Sequence, residues 1–313
     1  MPKVSICIPT YNQVEYLKTC IQSILSQDYK DYEIIISDDS SNNLVEEYLK
    51  SLNLGHVLNY YKNPIALGTP QNWNYAISLA KGEYIKMLHH DDFFTETNSL
   101  AQYVEVLENN KQADFCFSST LVWYVNTNIK LVHRCSDAQQ NRLNSEPDYL
   151  FFNNLIGAPS ATLYRKSVGI EYDKRFKWLV DVDFYISVLY KNNKICNIDK
   201  PLICTAHGAV GQVTQQVETD KTIQVTEHLL LLSKTLHQIK DTTNYKKYFD
   251  ELFLRYNINS LDQLKMEYTV PENLISFLEE VFKKLNNFKT IKKIKYRLLN
   301  SKYNRHYFKI KKY

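Results

Sequence analysis

Two histidines and two aspartates in succession, His89-His90-Asp91-Asp92, stand where a strand-like run, Tyr84-Ile85-Lys86-Met87-Leu88, meets a turn. Adjacent carboxylates flanked by imidazoles suit a hard divalent cation held against phosphate oxygens. Aspartates are also common in turns and at helix N-caps, so the cluster alone leaves a purely structural reading open. A second acidic pair, Asp38-Asp39, closes the run Glu33-Ile34-Ile35-Ile36-Ser37. A third, Asp181 and Asp183, lies in Trp178-Leu179-Val180-Asp181-Val182-Asp183-Phe184. In open α/β sheets, ligands gather in the crevice at the carboxyl ends of strands. The first two pairs fall there.

The elements that must hold these groups follow from apolar periodicity. Lys3-Val4-Ser5-Ile6-Cys7-Ile8 reads as a buried strand stopped by Pro9. Val14, Leu17, Ile21, Ile24 and Leu25 then recur at helical spacing. After the 33–37 strand come a helix over 43–52 and a short strand over 58–61. Thr69-Pro70 opens a further helix as cap and first-turn proline, carrying Trp73, Ala76, Ile77 and Ala80. Gly82 ends it before the 84–88 strand. This alternation predicts right-handed crossovers and a parallel sheet covered by helices on both faces.

Past a helix at 99–109 the pattern loosens, with strands expected at 113–119, 121–124, 130–133, 161–164, 195–198 and 202–205. A helix begins at Asp181, with Phe184, Ile186, Val188 and Leu189 inward. From Val217 onward only helices are expected, over 223–239, 245–256 and 271–285. The last places Leu274, Phe277, Leu278, Val281 and Phe282 in register. These readings divide the chain into an α/β domain, 1–215, and a helical region, 216–313.

Composition narrows the chemistry. The chain has only 7 glycines in 313 residues and no GxGxxG or GxxxxGK[ST], so a glycine-built phosphate loop is not expected. Six scattered cysteines lack any zinc-type spacing and point to a reduced, cytoplasmic protein. No signal-peptide core and no apolar run near the ~20 residues of a membrane span occurs. The 24 tyrosines and 14 phenylalanines offer aromatic surface for sugars or a membrane interface. Residues 283–313 carry 12 Lys/Arg and no Asp/Glu; taking those from the 38 of the whole chain leaves 26 against 34 acidic residues. The body is mildly acidic and the tail strongly basic.

The opening PKVSICIPTYNQVEYLKTCIQSILSQDYKDYEIIISDDSS is similar to the start of glycosyltransferase family 2, the large group with the GT-A fold. GEYIKMLHHDD, GAPSATLYRK and WLVDVDFYI extend the resemblance over 1–215; the helical region carries none of it. The resemblance implies a Rossmann-like, mostly parallel sheet flanked by helices. It also implies transfer of a sugar from a nucleotide diphosphate donor, usually with inversion. Pro9, Thr10, Tyr11 and Asn12 match the segment that meets the nucleobase and ribose, and Asp39 the residue that pairs with uracil. Asp91 and Asp92 match the aspartates that touch ribose and metal, with Mn²⁺ or Mg²⁺ as cofactor. His89 departs from the family's Asp-x-Asp, and the histidines read more readily as turn packing than as ligands. Asp181 matches the catalytic base, with Asp183 as fallback. Trp178 and Ser160, in the 157–160 loop, match the acceptor pocket. His207 and 211–214 match a segment closing over the diphosphate, where His207 would bind metal or phosphate. Arg165 and Lys166 are weighed as diphosphate partners.

The basic tail interleaves Ile291, Ile294, Tyr296, Leu298, Tyr303 and Phe308 with its cations, as an amphipathic helix at an anionic membrane surface would. A solvated helical face explains the same pattern, and no nucleic-acid partner is expected. The combined expectation is a metal-dependent, inverting transferase using a UDP-sugar and a lipid-linked saccharide acceptor in surface polysaccharide assembly (O-antigen or capsule). It would work in the cytoplasm, at the inner face of the membrane, with association of like chains left open. The rivals are a related nucleotidyltransferase and a non-catalytic carbohydrate-binding scaffold that keeps the fold.

Overall fold

The computed structural model describes residues 1–208 and 217–286. The expectations for 211–214 and for the tail beyond 286 lie outside the described residues. The chain divides into two compact units, 1–213 and 214–313.

In the first unit, β1 (Val4–Thr10) is buried throughout and pairs in parallel with β2 (Tyr32–Asp38). β3 (Leu58–Lys62) extends the sheet beyond β2, and β4 (Tyr84–Met87) lies on the other side of β1, both in parallel. The connections are α1 (Val14–Leu25), α2 (Leu44–Ser51) and α3 (Gln71–Ser78). Leu17, Ile21 and Ile24 of α1 are fully buried, and they pack with Ile6, Ile8, Ile34 and Ile36 in one core. All four strands therefore end on one edge. α3 starts after Pro70 with no side-chain cap, so Thr69 does not play the capping part expected of it.

Beyond β4 the sheet is mixed. β5 (Phe93–Phe94), β6 (Phe115–Tyr124), β7 (Ile129–His133), β8 (Thr162–Arg165) and β9 (Ile195–His207) complete, among the described residues, nine strands in the order β3-β2-β1-β4-β8-β6-β9-β5, with β7 beside β6. β8 runs antiparallel to β4 and β6, while β6 and β9 run parallel to each other. β6 and β9 are each one long strand where the sequence reads as two. Pro201 lacks an N–H for the ladder, and the β6–β9 register slips there, which interrupts the pattern without ending the strand. α4 (Ser99–Asn109), α5 (Asp137–Ser145) and α6 (Val180–Lys191) flank this half. α5 went unread because Leu143 is its one buried residue, although Ser136 and Gln139 form a capping box.

The second unit contains α7 (Lys221–Thr235), α8 (Thr243–Arg255), α9 (Leu261–Glu267) and α10 (Ile275–Asn286). Asp220 and Ser260 cap α7 and α9. The Phe253 and Phe282 rings stack at 4.9 Å, and the register expected for α10 buries as read. No helix among the described residues is long and apolar enough to cross a membrane.

Gly82 allows β4 to approach β1. A Cβ there would stand 2.7 Å from Ser5 N and 2.9 Å from Val4 C, both backbone atoms that cannot yield. Gly82→Ala should lower stability by about 1–3 kcal/mol, the usual cost of overpacking. Urea unfolding of the variant tests this, and an unchanged midpoint would refute the close approach.

Candidate functional site

At the ends of β1 and β2 the acids are already held by the protein. Asp38 accepts from Thr10 Oγ1 (3.0 Å), Ser40 N (2.8 Å) and the Tyr60 hydroxyl (2.8 Å), with Lys62 Nζ at 3.2 Å. Burial raises its pKa, but these donors outweigh burial and hold the carboxyl below its ordinary range. Asp39 accepts from Asn63 Nδ2 (2.7 Å), Leu67 N (3.0 Å) and Gly68 N (2.8 Å), tying the 63–68 loop to β2. A carboxylate offers about four acceptor positions, so it keeps room for a further donor. Asn12 adopts a left-handed backbone (φ 56°), and its Oδ1 accepts from Ser41 N at 3.0 Å, joining the two turns. Tyr11 beside it is 52% exposed.

At the end of β4 the turn 89–92 closes through Asp92 N to His89 O (3.0 Å). One ring nitrogen of His89 and a carboxylate oxygen each of Asp91 and Asp92 lie within 4.8 Å of one another. Burial, then the neighbouring charge of Asp91, pushes the Asp92 carboxyl well above the ordinary aspartate range. Ser160 and Ala206 N (3.2 Å) oppose this by donating to it. Burial also lowers His89 to about 4, leaving the imidazole neutral and able to ligate. Its ring packs against Trp73 with centroids 4.6 Å apart. His90 donates from Nδ1 to Pro9 O at 3.2 Å, linking this turn to β1.

Asp181 lies in the first turn of α6. Asn154 Nδ2 donates to its Oδ2 (2.8 Å), while Val182 N donates to Oδ1 (2.9 Å). Asn154 Oδ1 accepts from Ile156 N (3.2 Å) and Gly157 N (2.9 Å), so one amide shapes the 154–157 loop and orients the acid. Gly157 has φ 92°, and a Cβ there would meet the His133 ring at 3.3 Å. The same loop runs on to Ser160 and the start of β8. Because β8 is antiparallel to β4, its start lies beside the end of β4. Ser160 Oγ accepts from His89 N at 2.9 Å.

That antiparallel pairing sorts the expected residues. Pro9, Thr10, Tyr11, Asn12, Asp39, Asp91 and Asp92 end strands on one edge. Ser160 is fully buried and serves the acid turn, accepting through its carbonyl from the buried Lys86 ammonium. Arg165 and Lys166 lie at the opposite edge, where Arg165 pairs with Glu83 (2.9 Å), so they do not reach a diphosphate at the strand ends. A hollow of about 750 Å³ on that edge is likewise remote from the acids, and its Lys3 and Arg165 are paired internally. His207, one residue past Ala206, packs edge-on to Tyr124 and stands outside the His89–Asp91–Asp92 cluster. Trp178 is half-buried, three residues before Asp181, and Asp183 is buried. Sequence reasoning missed Trp73, Lys86 and Asn154 as site residues. Lys86, at the third position of an otherwise apolar strand run, was the one readable signal among them.

A family model described as Glycosyl transferase family 2 matches residues 5–172. An uncharacterised glycosyltransferase of Methanocaldococcus jannaschii is 29% identical over 206 residues, spanning 64% of this chain and 70% of that protein. A Campylobacter jejuni GalNAc(5)-diNAcBac-PP-undecaprenol beta-1,3-glucosyltransferase is 36% identical over 94 residues, 29% of this chain and 30% of that one. Among solved structures, S. aureus TarS 1-349 in complex with UDP-GlcNAc superposes with a TM-score of 0.60 at 19% identity, covering 90% of this chain and 79% of that one. That likeness establishes a shared fold.

Two outcomes follow from this geometry. Without a cation, the native state keeps on Asp92 a proton that the unfolded chain releases near pH ~3.9. Stability in EDTA should therefore fall as pH rises above that value, and Asp92→Asn should remove the loss. Melts of both proteins from about pH 4 to about pH 8 test this; parallel curves would refute a raised carboxyl. Asn154→Ala should destabilise by about 1–3 kcal/mol, because it orphans loop N–H groups. Denaturant midpoints measure that cost.

Proposed function

The chain belongs to glycosyl transferase family 2, and from that premise we propose a metal-dependent, inverting transfer from a UDP-sugar to a saccharide acceptor. The observation that carries this reading is the His89–Asp91–Asp92 cluster at the end of β4, beside the ends of β1 and β2. The donor set fits a divalent cation: two carboxylates and a ring nitrogen of His89, whose buried Nε2 has no hydrogen-bond partner among the described residues. Asp91 and Asp92 would hold Mn²⁺ or Mg²⁺. When bound, the cation would neutralise charge on the departing diphosphate.

In this reading Pro9, Thr10, Tyr11 and Asn12 line the base and ribose, and Asp39 accepts the uracil N3–H with its remaining acceptor capacity. The acceptor oxygen bonds to the anomeric carbon as the bond to the diphosphate oxygen breaks. Asp181 takes the hydroxyl proton, its orientation fixed by Asn154. Trp178 would serve the acceptor and His207 the diphosphate. The UDP-GlcNAc complex of TarS supports a UDP-sugar donor. The undecaprenol-linked substrate named for the Campylobacter relative, with the basic 283–313 tail, supports a lipid-linked acceptor at an anionic membrane surface and a part in O-antigen or capsule assembly.

Calorimetric titration of UDP with Mn²⁺ and with EDTA tests the donor site. Binding should need Mn²⁺ and weaken in Asp92→Ala; no UDP binding in either condition would sink the reading. Asp181→Asn should cut turnover about 10²–10⁴-fold, the usual worth of a general base, while leaving UDP affinity unchanged. Turnover at the wild-type level would remove Asp181 from that role.

A further inference from the structure

We propose that His89 is itself a metal ligand, completing with Asp91 and Asp92 a mixed nitrogen–oxygen site that favours Mn²⁺ over Mg²⁺. The inference rests on the metal-dependent reading above and specifies the chemistry of that site. A ring nitrogen of His89 already lies within 4.8 Å of both carboxylates. The residue is fixed at several points: its N–H is held by Ser160 Oγ, its carbonyl by Asp92 N, and its ring by Trp73. Nε2 is nonetheless buried without a partner among the described residues. A buried nitrogen left in that state costs free energy, and coordination through it would supply the missing partner.

The neighbouring imidazoles are engaged elsewhere. His90 Nδ1 bonds Pro9 O, and the His207 ring lies against Tyr124, outside the cluster. His89 is therefore the nitrogen donor the turn presents. Mg²⁺ demands near-octahedral oxygen ligation, whereas imidazole suits transition metals. A His–Asp–Asp set also carries one negative charge fewer than three carboxylates. It relies less on charge and more on ligand softness, which separates the two cations.

Pulsed EPR of the full-length protein loaded with Mn²⁺, with and without UDP, reads the ligand directly. ¹⁴N modulation of the Mn²⁺ signal is expected in the wild type and in a His90→Gln/His207→Gln double variant, and is expected to vanish in His89→Asp. The Mg²⁺ concentration that displaces half the Mn²⁺ should fall about tenfold in His89→Asp, the scale of changes around a metal shell. If His89→Asp does not fold, His89→Gln takes its place, and loss of the modulation there with its survival in the double variant assigns it to His89. Mn²⁺ bound without ¹⁴N modulation, or modulation surviving in His89→Asp, overturns this proposal and leaves the metal-dependent reading standing. Failure to bind Mn²⁺ at all overturns both.

Discussion

Two neighbouring carboxylates in a turn that burial makes hostile to charge form the constraint around which the first unit is built. Asp91 and Asp92 follow β4 directly, and burial with mutual repulsion favours the protonated form of Asp92. The surroundings oppose that tendency. Ser160 from the start of β8 and Ala206 N from the end of β9 both donate to Asp92. Lys86, buried beneath, is held by the carbonyls of Ser160 and Thr162 and lies 4.2 Å from the Tyr103 ring centroid. Burial pushes its amine down to about 7. Elements from three parts of the chain thus serve one short turn.

The other acids are handled differently, and the contrast separates roles. Asp38 is so fully supplied with donors that it acts as a brace between β1, β2 and β3. Asp39, one residue on, also holds the 63–68 loop but retains acceptor capacity on its carboxylate. Asp181 accepts from the Asn154 side chain, whose other bonds set the loop leading to Ser160. A change in that loop is thereby felt at α6 and at the acid turn together. The coupling is a matter of shared hydrogen bonds within one continuous stretch of chain.

Much of this was legible in the order of residues. Apolar runs of strand length alternating with helical spacing disclosed β1 to β4 and α1 to α3, because burial on both faces leaves a continuous signature. A strand end is local information, so the candidate acids could be read from it as well. The second half read less well. β6 appeared broken at the buried polar run Ser118-Ser119-Thr120, β9 appeared broken at Pro201, and α5 buries almost nothing.

What the sequence by itself determined, then, is the family, the α/β class and the strand-end acids, all consequences of local pattern. Only the tertiary structure decided which distant groups meet them. The antiparallel placement of β8 brings Ser160 to the acid turn and sends Arg165 to the far edge, though only five residues separate them. Trp73 and Asn154 carry no local mark, because their roles arise from what packs against them: a histidine ring in one case, a carboxylate 27 positions along the chain in the other. Strand direction is set by pairing between remote segments, and pairing cannot be read from either segment alone.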